Sequence, residues 1–223
     1  MAPLIGETAP NFTADSTEGE ITLHDYIKHS WAILFSHPAD FTPVCTTELA
    51  RVSQLLPEFQ KRNVKCLALS CDSSASHNAW IPDICSFGGK SESTALGYPI
   101  IADEHRTIAR TYGMLPASES SGMAMTVRSV FVIGPDAKVK LSLTYPASTG
   151  RNFDEIVRVI DSLQLAVSSK VATPVDWKKG DECVVLPSVS DEQAEQLFPK
   201  GFNAMNLPSG KAYLRMTPMP DAE

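Results

Sequence analysis

Trp31-Ala-Ile-Leu-Phe-Ser-His-Pro-Ala-Asp-Phe-Thr-Pro-Val-Cys-Thr-Thr-Glu-Leu49 joins a strand, a turn and the start of a helix in one stretch. The apolar run Trp31 to Phe35 has the composition of a buried strand. Downstream, Cys45, Leu49, Val52, Leu56 and Phe59 recur at spacings of four and three, which places them on one helical face. Thr42 followed by Pro43 marks the helix start, with Thr as N-cap and Pro at the first helical position, where a missing N–H is harmless. Cys45 then lies three residues past the cap, in the first turn. The unpaired N–H groups and the positive end of the helix dipole both favour a thiolate there. A single Cys on an apolar helix face is also what an ordinary small core residue looks like, so cap geometry alone leaves both readings open.

Working outward, two short strands are expected around the Ser16-Thr-Glu-Gly19 turn, and one helical turn near His24–His29. The helix from Pro43 should run to about Arg62 and stop at Asn63. Val64–Ser70 reads as a strand covered on both faces, Ser74–Cys85 as a helix disturbed by Pro82, Pro99–Ala102 as a short strand and Glu104–Tyr112 as an amphipathic helix. Val127–Ile133 and Val139–Thr144 form a hairpin about Gly134-Pro-Asp-Ala137. A closing helix follows, with Ile156, Val159, Ile160 and Leu163 as its apolar stripe. Strands alternating with helices give an α/β class. Beyond Leu165 the texture becomes proline-rich and loop-rich, with a capped helix over Ser190–Phe198 and a strand near Tyr213–Met216. The expected division is therefore a domain over 1–166 and a smaller arm over 167–223. An arm of that size buries little core by itself, so it is expected to pack on a partner subunit.

A net charge of -7 and the lack of a basic run argue against a nucleic-acid partner. No apolar stretch approaches the length of a membrane span, and the first residues lack the pattern of a signal or transit peptide, so a cytoplasmic address is expected. Five cysteines without a CxxC pair exclude a thioredoxin-type dithiol and argue against a disulfide framework. Cys71, His77 and Cys85 have the spacing of no common zinc site, and no metal or other cofactor is expected.

Pro38, Thr42 and Cys45 match the Pro-x-x-x-Thr-x-x-Cys motif of the peroxiredoxins. The wider run Phe35–Leu49 resembles the one-cysteine, peroxiredoxin-six-like group. So do Lys61-Arg-Asn-Val-Lys65, Thr149-Gly-Arg-Asn-Phe-Asp-Glu155 and Val171-Ala-Thr-Pro-Val-Asp-Trp-Lys178, and the likeness extends from Gly6 to Pro220. The resemblance implies a thioredoxin-like fold with a smaller loop-rich C-terminal domain. It implies a thiol-specific peroxidase that reduces hydrogen peroxide and organic or lipid hydroperoxides. Cys45 would be the nucleophile, and the Thr42 hydroxyl would donate to the peroxide or the sulfur. Pro38 would shield the site from water, and Arg128 would favour the thiolate and hold substrate oxygens. His37 is read either as an aid to activation or as a structural hydrogen bond. Arg151 is read as a substrate-side arginine or a helix-start charge, and Glu48 as a weaker candidate. Two-cysteine relatives carry their second thiol where Thr173 stands here, so an external thiol is expected to finish the cycle: glutathione with its transferase, or thioredoxin. Cys183 is an alternative resolver. A homodimer is also implied.

Some members of the group resemble a serine hydrolase, and Ser30, His24 and Asp136 stand at the corresponding positions. The surrounding sequence is Lys28-His-Ser-Trp-Ala32, without the glycines that a Gly-x-Ser-x-Gly elbow requires, so calcium-independent phospholipase activity is the lesser alternative. A chaperone or redox-signalling role is a third.

Overall fold

In the computed structural model, which describes residues 2–90, 95–117 and 124–221, the chain opens with a small antiparallel hairpin, β1 (Thr13–Ala14) and β2 (Ile21–Thr22). Then come α1 (Leu23–Ile27), β3 (Trp31–Ser36), α2 (Pro43–Lys61), β4 (Val64–Ser70), α3 (Ser74–Phe87), β5 (Ile100–Ala102), α4 (Thr107–Thr111), β6 (Arg128–Ile133) and β7 (Val139–Tyr145). Two compact units are present, Met1–Phe153 and Asp154–Glu223.

The first unit is built on a five-stranded sheet in the order β5-β4-β3-β6-β7. All six residues of the central strand β3 are buried, as its unbroken apolar run requires. β3 pairs in parallel with β4 from Trp31↔Val64 to Ser36↔Leu69, so the chain must cross over, and α2 is that crossover. The first turn of α2 therefore lies just beyond the carboxyl end of β3. On the other side β6 runs antiparallel, with Phe35 opposite Val130. That register carries Arg128, the first residue of β6, to the same end of the sheet as the residues that follow β3. Ser36 ties the two strands: its hydroxyl donates to the Val127 carbonyl at 2.6 Å and accepts from the Ser129 N–H at 3.1 Å. This is the α/β, thioredoxin-like arrangement expected from the order of elements.

Three details differ from expectation. α3 runs through Pro82 to Phe87, supported at its start by Ser73, whose hydroxyl accepts the Ser76 N–H. α4 is only five residues long. Arg106 adopts a left-handed conformation (φ 59°), and the Asp103 carboxylate accepts the N–H groups of Ile108 and Ala109 at 3.2 and 2.7 Å, so the helix begins later than the apolar pattern suggested.

The second unit begins with α5 (Phe153–Ser168), whose first residue closes the first unit. It continues with β8 (Val171–Ala172), β9 (Cys183–Val185), α6 (Asp191–Leu197), β10 (Asn203–Ala204) and β11 (Arg215–Thr217). Its strands form an antiparallel sheet in the order β10-β11-β9-β8. Ser190 and Gln193 make a reciprocal capping box at the start of α6. Contrary to the expectation of an arm with little core, Trp177, Cys183, Val185, Val189, Ala194 and Phe198 are buried together in one apolar cluster. β11 was anticipated by the strand expected near Tyr213–Met216, but strands of two or three residues have no periodicity to read, and the others were not. Among the described residues no helix is long and apolar enough to cross a membrane.

Candidate active site

Thr42 occupies the N-cap of α2 with extended backbone (φ −114°, ψ 145°) and Pro43 is the first helical residue, so Cys45 is the third. Thr42 does not cap with its side chain: its hydroxyl donates to the Ala39 carbonyl at 2.8 Å. The single hydroxyl proton is thereby used, and what the side chain offers a further ligand is its lone pairs. Phe41, just before it, is exposed and left-handed (φ 52°), a conformation that an aromatic residue adopts only when its surroundings impose it.

Cys45 is fully buried. Nη1 of Arg128 stands 3.4 Å from its Sγ and 2.7 Å from Oε2 of Glu48, while Nε and Nη2 of Arg128 donate to the Ala147 carbonyl at 2.9 and 2.6 Å. Glu48 lies one turn beyond Cys45 on the same helix, and Arg151 grips it from the other side. The Arg151 backbone N–H and Nε donate to Oε1 at 2.7 and 2.9 Å, and Nη2 donates to Oε2 at 2.7 Å. The remaining Nη1 of Arg151 donates to the Ser129 carbonyl, and the guanidinium lies over the rings of Phe35 and Phe153. Burial alone would raise the Glu48 pKa, but the hydrogen bonds and charge of Arg151, with the charge of Arg128, hold the carboxyl below its ordinary range. Two guanidiniums facing one carboxylate leave a buried surplus of one positive charge beside Sγ, which an anionic sulfur would balance.

His37 and Pro38 are both buried at the start of the loop between β3 and α2. The His37 N–H donates to the Leu69 carbonyl at 2.9 Å and its carbonyl accepts the Thr126 hydroxyl at 2.6 Å. Its Nε2 faces Oδ1 of Asp40 at 3.0 Å, and its Nδ1 has no partner among the described residues. Burial lowers the His37 pKa, and this outweighs the raising effect of Asp40. Oδ2 of Asp40 faces Nδ1 of His77 at 2.7 Å and accepts the Ser76 hydroxyl at 2.7 Å. His37, Asp40 and His77 are the group of three close donors, among the described residues, that could hold a metal ion. Their mutual contacts at hydrogen-bond length account for these atoms with protons alone.

The structure thus brings Cys45, Thr42, Arg128, Glu48 and Arg151 to one end of the sheet, with Arg151 bound to Glu48 rather than to the sulfur. Sequence reasoning missed Asp40 and His77 and undervalued Glu48. For Glu48 a signal existed, its place three residues after Cys45 on the buried face. For Asp40 and His77, far apart in the chain, there was none. The three hydrolase candidates each bond elsewhere: Ser30 Oγ to Asn63 Oδ1 at 3.2 Å, His24 Nε2 to the Ala9 carbonyl at 2.7 Å, and Asp136 to Lys140 Nζ at 2.7 Å. Thr173 shares a hydrogen bond with Ser162 at 2.6 Å, and Cys183 is buried in the second unit's core, where burial raises its thiol pKa. No cysteine is in a disulfide.

Residues 5–142 match the model of the AhpC/TSA family, and residues 162–201 that of the C-terminal domain of 1-Cys peroxiredoxin. Peroxiredoxin-6 of Gallus gallus is 58% identical over 220 residues, covering 98% of both chains. That of Homo sapiens is 56% identical over 219 residues, covering 97% of this chain and 98% of its own. Among solved structures, a cysteine-to-serine mutant of peroxiredoxin 6 from Arenicola marina superposes with a TM-score of 0.94 at 55% identity, covering 98% of this chain and 99% of its own. A yeast mitochondrial 1-Cys peroxiredoxin, studied for thiol resolution via glutathione/thioredoxin systems, superposes with a TM-score of 0.86 at 45% identity, covering 96% and 99%.

Proposed function

As the chain belongs to the AhpC/TSA family, in its one-cysteine peroxiredoxin branch, and is a thiol-dependent peroxidase, we propose that Cys45 is the peroxidatic nucleophile and that an external thiol completes its cycle. The observation that carries this reading is the 3.4 Å approach of Arg128 Nη1 to Sγ in the first turn of α2, within a cluster that lacks one negative charge. The thiolate attacks one peroxide oxygen and a new S–O bond forms. The O–O bond breaks, and the departing alkoxide or hydroxide takes a proton to leave as alcohol or water. Thr42 accepts a hydrogen bond from the peroxide O–H, and Arg128 donates to the oxygen that gains charge. Pro38 supplies a rigid wall with no N–H. Arg151 holds Glu48, and Glu48 in turn holds Arg128, so both act on the substrate's surroundings rather than on the substrate.

The product is a sulfenic acid. One thiol displaces its oxygen as water and forms a mixed disulfide; a second thiol releases Cys45 and leaves as the disulfide of the two. Thr173 in place of a second cysteine, and the buried, less acidic Cys183, support glutathione or thioredoxin as the thiol source. Hydrogen peroxide and organic or lipid hydroperoxides are the substrates we assign. Five free cysteines suit a reducing cytoplasm. Residues 1–166 are assigned as the peroxidase domain and 167–223 as the arm of a homodimer; Val167 and Val175, 74% and 88% exposed, support an apolar contact there.

The test is turnover of hydrogen peroxide by the full chain with glutathione plus its transferase, beside thioredoxin plus its reductase. Turnover with at least one pair, lost in Cys45→Ser, is expected. Activity retained in Cys45→Ser refutes the assignment.

A further inference from the structure

The buried trio of His37, Asp40 and His77 constrains where the proton on His37 sits. Asp40 is only 8% exposed, and His37 and His77 are fully buried. Its Oδ2 is already taken by two donors, the Ser76 hydroxyl and Nδ1 of His77, both at 2.7 Å. The proton of that contact lies on Nδ1 of His77, because a carboxylate only accepts; its Nε2 lies at the longer distance of 3.3 Å from the Ile101 carbonyl. Oδ1 of Asp40 faces Nε2 of His37 at 3.0 Å. A carboxylate only accepts, so a bare Nε2 would set two lone pairs against each other in a buried place; the proton must lie on Nε2. The backbone holds this geometry, since the Asp40 N–H donates to Asp72 Oδ2 at 3.0 Å and Trp80 lies 5.3 Å from the His37 ring. What remains is Nδ1 of His37, the buried side-chain N/O atom that lacks a partner among the described residues. A buried acceptor left empty is costly, and a resting enzyme tolerates one where a ligand fills it during turnover.

We propose that Asp40 is a positioning residue of the peroxidase: it locks His37 as the Nε2–H tautomer and so keeps Nδ1 as an open acceptor for an O–H bound or formed during the Cys45 reaction, which rests on the reading of Cys45 as nucleophile. Asp40 touches neither sulfur nor substrate. It acts through His37 alone, as a buried carboxylate does when it fixes the tautomer of a catalytic imidazole. His77 and Ser76 belong to the same device, because they occupy the oxygen that Asp40 would otherwise turn toward His37.

The experiment combines long-range proton–nitrogen correlation spectra of the histidine-labelled full chain with the rate of Cys45 oxidation by hydrogen peroxide. In the wild type the resonances that vanish in His37→Gln are expected to show Nε2 protonated and Nδ1 bare. Asp40→Asn, which can turn its amide nitrogen toward His37, is expected to mix the tautomers and slow oxidation at least about tenfold. His77→Asn keeps a donor toward Asp40 and is expected to retain the tautomer. A proton on Nδ1 in the wild type overturns the proposal, and that spectrum decides even if Asp40→Asn does not fold. A tenfold loss in Asp40→Asn with the tautomer unchanged also overturns it, since the residue would then be merely structural. So does a stoichiometric divalent metal held by the three side chains. None of these results touches the Cys45 assignment, which fails only if Cys45→Ser still turns over peroxide.

Discussion

Glu48→Gln tests the charge arrangement at its centre. Glu48, Arg128 and Arg151 are 4%, 2% and 8% exposed, and four N–H groups converge on the carboxylate at 2.7 to 2.9 Å. Glutamine keeps the volume, but it removes the charge and turns an amide NH₂ toward guanidinium donors. Breaking a buried pair by removing one partner costs about 3–5 kcal/mol, because the other charge stays buried. Here two guanidiniums stay but keep their other acceptors, the Ala147 and Ser129 carbonyls, so the lower end, about 3 kcal/mol, is the expected decrease at pH 7. For a chain of this size that corresponds to a melting temperature lower by roughly 6–12 °C. Urea unfolding followed by circular dichroism measures it, with the slope checked for constancy. The sign of the pH dependence follows from Glu48's depressed pKa in the fold. Its stabilisation is complete above the unfolded value of 4.5 and is lost as pH falls toward the lower folded value, whereas glutamine does not titrate. The gap between the two proteins should therefore be widest at neutral pH and narrow below pH 4.5. A decrease under about 1 kcal/mol at pH 7 would show that the cluster is not a buried ion network, since even surface pairs reach that value. So would a gap that is indifferent to pH.

Cys45→Ser should lose peroxide turnover and keep the wild-type circular dichroism spectrum; retained turnover rules out Cys45. Arg128→Lys keeps the charge, but a single ammonium cannot serve Sγ, Glu48 and the Ala147 carbonyl together, so Cys45 oxidation should slow by about tenfold or more in stopped flow. An unchanged rate would remove Arg128 from the site. Protein treated with one equivalent of peroxide should run as a monomer on non-reducing denaturing gels, with excess peroxide adding further oxygen to Cys45. A disulfide-linked band that vanishes in Cys183→Ser would instead make Cys183 the resolving thiol. Phospholipase activity should be weak or absent, because Ser30, His24 and Asp136 each bond to other groups; robust hydrolysis that disappears in Ser30→Ala would contradict this.

Much of the fold was legible locally. The largely apolar runs at Trp31–Phe35 and Val64–Ser70 marked the strands, and the Thr42-Pro43 pair placed the start of α2 and with it Cys45. Asn63 ended that helix through its left-handed backbone (φ 52°), a conformation asparagine accepts readily. Local reasoning failed where a distant or uncounted group intervened. Asp103 took the first N–H groups of α4 and shortened it, and the short strands of the second unit exist only through their pairing.

The motif around Cys45 pointed to the nucleophile proposed here, because helix-start geometry and the residues that shape it are consecutive in the chain. The direction in which each partner works belongs to the tertiary structure. Whether Thr42 donates or accepts depends on the Ala39 carbonyl, and whether Arg151 meets substrate or Glu48 depends on how the 146–151 segment returns to α2. The His37–Asp40–His77 cluster joins two helices' worth of sequence through one carboxylate. Sequence determines which side chains can carry charge or a proton; the sheet register, by setting β6 against β3, decides which of them come within hydrogen-bond reach, because those interactions act only across a few ångströms.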